Sequence, residues 1–237
     1  MLTALRDLKV IGFDADDTLW SNEPFFVETE KKFCALLKNH FIEKELKEVL
    51  YKMELENLEL YGYGVKGFML SMIETAVKVS KTEIPKELIA GIINLGKEML
   101  EKPIELLNGI ENVLNTLNGK YRLIIATRGD LLDQERKLRK SGISRYFHHI
   151  EIMSDKKEKN YLALLERLNI EPKHFLMIGN SFKSDILPVL NIGGLAAYVP
   201  FHVIWEHDRV ANESSESNER LLRIKEISEI LNYIDPN

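Results

Sequence analysis

The stretch Leu8-Lys9-Val10-Ile11-Gly12-Phe13-Asp14-Ala15-Asp16-Asp17-Thr18-Leu19 decides the fold. Its first half is a short apolar run closed by acids, which suits a strand buried on both faces of a parallel sheet better than it suits a helix. Runs of the same character recur at Tyr121 to Ala126, His149 to Met153, Phe175 to Ile178 and Leu195 to Val199, each bounded by polar residues. Helical periodicity fills the intervals at Leu131 to Lys140, Tyr161 to Leu168 and Asp185 to Leu190. Strands alternating with helices predict an α/β fold built on a doubly wound parallel sheet.

Between Trp20 and Leu107 only helix-like spacing is found, around Phe26 to Leu37, Glu43 to Leu58, Val65 to Val79 and Pro85 to Met99. Ser21-Asn22-Glu23-Pro24 opens this stretch, Tyr61-Gly62-Tyr63-Gly64 reads as a loop inside it and Pro103 stops it. The expected organisation is an all-helical module at residues 21–103, inserted after the first strand of a sheet domain made of residues 1–20 and 104–237. The polar run Asn212 to Asn218 reads as a loop, and Leu221 to Ile234 as a short strand or turn with a closing helix.

Composition narrows the function. With 237 residues, 45% of them apolar and 29% charged, the chain can bury a core and half a domain more, which excludes disordered and low-complexity scaffolds. Acidic residues outnumber basic ones by 37 to 32, so no global positive field draws in a nucleic acid polymer or an anionic membrane. The single cysteine, Cys34, forms no intrachain disulfide and no multi-thiolate metal site. No apolar run reaches the roughly 18 residues of a membrane span, and the expected compartment is the cytoplasm.

In an open parallel sheet ligands gather beyond the carboxyl ends of the strands. The first strand leaves Asp14, Asp16, Asp17 and Thr18 there; the Tyr121 strand leaves Thr127, Arg128, Gly129 and Asp130; the Phe175 strand leaves Gly179, Asn180, Ser181 and then Asp185. After Met153 come Asp155, Lys156, Lys157 and Lys159. Convergent carboxylates repel one another unless a hard divalent cation holds them, and Mg²⁺ takes oxygen ligands at about 2.0 to 2.1 Å. With no Cys or His at these strand ends, zinc is disfavoured. Mg²⁺ facing a Thr hydroxyl and a Lys ammonium makes a cradle for a phosphate. Of two carboxylates there, one can attack phosphorus while the other protonates the leaving oxygen and then deprotonates water. Asp130 suits the cap of the helix at Leu131, which leaves Thr127 for the ligand, and spacing to Tyr161 favours Lys156 among the three lysines.

Asp14-Ala15-Asp16-Asp17-Thr18-Leu19, Thr127, the lysine after Ser154-Asp155 and Gly179-Asn180-Ser181-Phe182-Lys183-Ser184-Asp185 resemble the four ordered motifs of the haloacid dehalogenase superfamily. The inserted helices resemble its first-position helical cap, and the likeness runs from about Leu8 to Val199. The resemblance implies a Rossmann-like core with Asp14 as nucleophile and metal ligand, and Asp16 as general acid and base whose main-chain carbonyl meets Mg²⁺. It implies that Thr127 and the amide of Arg128 hold the transferring phosphoryl group, that Lys156 neutralises it, and that Asn180 and Asp185 complete the metal site. The family more often has Asp where Asn180 stands, and it usually follows its lysine with proline.

The function expected from this is Mg²⁺-dependent hydrolysis of a small phosphorylated metabolite, a nucleotide or sugar phosphate, through an aspartyl phosphate, with a helical lid shutting out water. A dehalogenase has no use for a proton donor at Asp16. The alternatives are a phosphomutase of the same superfamily and a non-enzymatic phospho-accepting or binding protein.

Overall fold

The computed structural model describes residues 4–37, 43–80, 83–209 and 218–234. Strand β1 (Val10–Phe13) is followed by four helices, α1 (Glu23–Leu37), α2 (Glu43–Tyr61), α3 (Val65–Val79) and α4 (Lys86–Glu101). Next come α5 (Ile110–Leu117), β2 (Arg122–Arg128), α6 (Leu131–Ser141), β3 (His149–Met153), α7 (Glu158–Arg167) and β4 (Phe175–Gly179). The chain continues through α8 (Leu187–Asn191), β5 (Leu195–Tyr198), β6 (Leu221–Arg223) and α9 (Leu231–Ile234). Of the polar run expected as a loop, residues 212–217 lie outside the described residues. No helix among the described residues is long and apolar enough to cross a membrane.

All strands pair in parallel, in the order β3-β2-β1-β4-β5-β6, which is the doubly wound α/β sheet the sequence predicts. Alternation through the sheet explains why its strands read as unbroken apolar runs. Ile11, Phe13, Leu123, Ile125, Leu176 and Ile178 bury one face with α5, while Val10, Ile124, Ala126, Phe175 and Met177 bury the other with α7. Gly12 is required where it stands, because a Cβ there would lie 2.7 Å from the Phe175 ring. Helix α5 was not foreseen, although Ile110, Val113, Leu114 and Leu117 carry its buried stripe.

The chain divides into two compact units. Met1–Glu23, Ile104–Arg128 and Lys137–Asn237 form the first, which holds the sheet; Pro24–Pro103 and Gly129–Arg136 form the second. The second has a core of its own from α1 to α4, with Phe33, Leu37, Leu50, Phe68, Met72, Ile92 and Met99 interdigitating around buried Cys34. Inside it Asn57 donates to Ser71 Oγ at 3.1 Å, and Ser71 Oγ donates to the Gly67 carbonyl at 2.9 Å, while Lys102, just past α4, ties that helix to α1 through Glu28 at 2.9 Å.

Candidate active site

Strand β1 is flanked by β2 and β4, the point at which the strand order reverses, and the crevice beyond its carboxyl end is where such sheets take ligands. Phe13 aligns with Ile125 and Ile178. Asp14 is the next residue, and its N–H still bonds to the Ile178 carbonyl at 2.9 Å, so the sheet ladder fixes its backbone.

Asp14, Lys156 and Asp185 form a buried ionic triad. Lys156 Nζ donates to Asp14 Oδ1 at 2.5 Å and to Asp185 Oδ1 at 2.6 Å, and all three residues are buried. Lys157, by contrast, is exposed and pairs with Asp155 at 2.7 Å, and Lys159 is exposed, so the lysine brought to the site is Lys156. Burial works against the Lys156 ammonium, but the two carboxylates outweigh it and hold its pKa above the usual lysine value. Burial, opposed by Lys156 and reinforced by Asp185, pushes Asp14 up to about 7.

Asp185 owes its placement to one turn of π-helix, Phe182–Ile186, set just ahead of α8. Its second oxygen accepts the Ser181 N–H at 3.0 Å, while its own N–H donates to the Ser181 carbonyl at 2.8 Å. Gly179 permits this approach, since a Cβ there would lie 2.3 Å from Asp185 Oδ2.

The other oxygen of Asp14 faces a second cluster. Thr18 Oγ1 donates to Asp14 Oδ2 at 3.1 Å and accepts the Asn180 N–H at 3.1 Å. With its NH₂ turned inward, the Asn180 side chain donates to Asp14 Oδ2, to the Asp16 carbonyl and to Thr18 Oγ1, each at 3.2 Å. A carboxylate oxygen, a carbonyl oxygen and a hydroxyl thus surround one point. If the amide turned over, its own oxygen would join them, accepting from Thr18 Oγ1 at 3.2 Å. An all-oxygen set of this kind fits a hard divalent ion. Among the described residues no three His, Cys, Asp or Glu side chains group as a metal cage, so a cation here depends on a main-chain carbonyl and an amide as well as on acid.

The carboxylate of Asp16 points elsewhere. The chain leaves the strand after Phe13 and turns, with the Leu19 N–H bonded to the Ala15 carbonyl at 2.8 Å and Asp17 at φ 61°. Asp16 Oδ1 therefore accepts from Trp20 Nε1 at 2.7 Å, and Lys137 Nζ reaches Oδ1 at 2.9 Å and Oδ2 at 3.0 Å. Lys137 also donates to Asn22 Oδ1 at 2.7 Å. Asp17 accepts the N–H groups of Asn22 and Glu23 at 2.8 and 2.9 Å, satisfying donors at the start of α1. Burial lifts its carboxyl to about 7 in spite of those bonds.

Thr127 and Arg128 end β2, with Thr127 buried and Arg128 Nη2 paired with Asp208 at 2.9 Å. Asp130 caps α6, accepting the Asp133 N–H at 3.0 Å, as the sequence predicts. Lys137, Trp20 and Asn22 were not foreseen as part of the site. Lys137 sits in the charged run Asp133 to Lys140, which reads as a solvated helix face, and its partners are more than a hundred residues away.

Residues 8–193 match the family described as haloacid dehalogenase-like hydrolase. The crystal structure of a haloacid dehalogenase-like family hydrolase from Xanthomonas campestris superposes with a TM-score of 0.83 at 34% identity, covering 94% of this chain and 88% of that one. A glyceraldehyde 3-phosphate phosphatase from Methanothermobacter thermautotrophicus is 29% identical over 203 residues, 81% of this chain and 85% of the relative. An N-acylneuraminate-9-phosphatase from Mus musculus is 23% identical over 200 residues, 80% of this chain and 81% of the relative.

Proposed function

Since the chain belongs to the haloacid dehalogenase-like hydrolase family, we propose that it is a Mg²⁺-dependent phosphatase of small phosphorylated metabolites. The observation that carries this reading is the Asp14 carboxylate, held by Lys156 on one oxygen and facing Thr18, Asn180 and the Asp16 carbonyl with the other. The names of two relatives, a glyceraldehyde 3-phosphate phosphatase and an N-acylneuraminate-9-phosphatase, support a sugar-phosphate substrate. The reading also takes the helical module as the family's cap.

The steps follow from the residues. Asp14 attacks phosphorus, the bond from phosphorus to the leaving oxygen breaks, and Asp16 gives that oxygen its proton. Water then attacks the aspartyl phosphate, Asp16 takes the proton of that water, and the bond from phosphorus to Asp14 breaks to release phosphate and restore the carboxylate. Thr127 and the amide of Arg128 hold phosphoryl oxygens, and Lys156, aimed by Asp185, offsets charge on Asp14. Asp14, the Asp16 carbonyl and Asn180 would hold Mg²⁺, with Asp185 alongside, and the ion supplies positive charge that screens the approach of two anions.

The test is phosphate release from a panel of sugar phosphates and nucleotides with Mg²⁺. The wild type is expected to turn over at least one, with Asp14→Asn silent and Asp16→Asn strongly impaired. Release that survives Asp14→Asn would sink the proposal.

A further inference from the structure

The ion pair between Lys137 and Asp16 has no part in the mechanism above, yet it is built more closely than a surface contact. Lys137 and Asp16 side chains are 13% and 22% exposed, and the ammonium spans both carboxylate oxygens as well as the Asn22 amide oxygen. Trp20, itself buried, adds its indole N–H to Asp16 Oδ1. An exposed pair of this type contributes little to stability, and a largely buried one loses hydration that its attraction hardly recovers. Stability is therefore a weak reason for placing a lysine here. Orientation is a better one: donors from the Asp14–Trp20 turn and from α6 converge on one carboxylate from two directions, which leaves its rotamer little freedom.

We infer that Lys137, with Trp20, is the positioning residue that aims Asp16 at the leaving oxygen. The inference rests on the phosphatase reading and on Asp16 as its proton donor. Its signature follows from chemistry. A poor leaving group such as an alkoxide needs the proton of Asp16 in the transition state, whereas 4-nitrophenolate departs without it. Loosening Asp16 therefore penalises alkyl phosphates selectively, while a change that only weakens the fold slows both esters alike.

The experiment compares kcat/KM on propyl phosphate and 4-nitrophenyl phosphate for wild type, Lys137→Met, Lys137→Arg and Trp20→Phe. Lys137→Met is expected to fall about 10- to 100-fold on propyl phosphate and less than about 3-fold on 4-nitrophenyl phosphate. Lys137→Arg should recover part of the loss. Trp20→Phe, which keeps a ring in the core and deletes the N–H, should skew the ratio the same way by about 3- to 10-fold, and it decides the matter if Lys137→Met does not fold. In an Asp16→Asn background Lys137→Met should cost nothing further on either ester. Equal losses on both esters, or a further loss in Asp16→Asn, overturns the inference while the phosphatase reading stands. A wild type inactive on every ester overturns both.

Discussion

Replacing Lys156 with Met exposes the energetics of the buried triad. The Asp14 and Asp185 oxygens both touch one Nζ, so they lie within about 5 Å of each other, and at an effective dielectric near 20 two unit charges at that distance repel by about 3 kcal/mol. Loss of the ammonium removes the attraction that offsets this repulsion and leaves two buried carboxylates, a situation that typically costs about 3 to 5 kcal/mol. Urea unfolding at pH 8 in EDTA should show a loss of that size. At pH 5 it should shrink by half or more, because Asp14, already lifted to about 7, then carries a proton in both proteins. In an Asp14→Asn background the cost at pH 8 should fall by about half, the share of the lysine's attraction that belongs to Asp14, because the repulsion between the two carboxylates is there with or without the lysine. A cost below about 1 kcal/mol at pH 8, or the same cost with and without Asp14, would refute the reasoning.

Further outcomes follow from the same geometry. Burial raises both Asp14 and Asp17 to about 7, so between pH values of about 4 and 7 the folded state binds protons that the unfolded state has released; stability in EDTA should fall as pH rises through that window, by roughly 4 kcal/mol for each group, and Asp14→Asn or Asp17→Asn should flatten its share of the slope in urea titrations. Gly179→Ala sets a Cβ 2.3 Å from Asp185 Oδ2, so Asp185 must leave Lys156; steady-state assays should show turnover down at least about 10-fold with the protein folded, and unchanged activity would mean that Asp185 does not aim Lys156. Asp17→Ala strips the acceptor from the Asn22 and Glu23 amides and should cost about 1 to 2 kcal/mol by chemical denaturation at pH 5, where the wild-type carboxyl keeps its proton, with Asp17→Asn largely spared. Mg²⁺ at a hundredfold excess over Kd should stabilise the wild type by about 2.7 kcal/mol in thermal melts, and Asp14→Asn should lose most of that shift.

The sheet was legible because its central strands are buried on both faces, so that Val10 to Phe13 and Phe175 to Ile178 stand out as apolar without alternation. The acids were legible because the topology puts every strand exit on one edge. What was hidden depends on contacts that spacing does not encode. Asp14 and Asp16 stand two apart and would share a face on a continued strand, but the turn bonded to the Ala15 carbonyl sends the Asp16 side chain toward α6 instead. Lys137 looks like any lysine of a charged helix until the fold brings it 2.9 Å from an acid 121 residues earlier. Helix α5 was missed for a simpler reason: its eight residues follow the Pro103 and Gly109 breaks, and its apolar stripe is only two turns long.

Charge counting in the triad bears on how a net-negative protein accepts a dianionic ester. Lys156 alone does not provide a positive spot, because Asp14 and Asp185 already bind its ammonium and the three groups, all ionised, sum to −1. Arg128 is likewise engaged by Asp208, and Lys137 by Asp16. Each of these cations near the carboxyl ends of the strands has an acid within hydrogen-bond distance, so the side chains by themselves leave the place of the phosphoryl group neutral to negative. The proposed Mg²⁺ therefore has more to do than polarise the ester. Beside Asp14 Oδ2 it would change the local sum from −1 to +1, lowering the raised pKa of Asp14 into the range where a nucleophile is ionised and creating the field that admits the substrate. Asn180 fits this balance: an aspartate in its place would add a further negative charge, whereas the amide can donate to Asp14 Oδ2 without a cation and present its oxygen to one when it is bound.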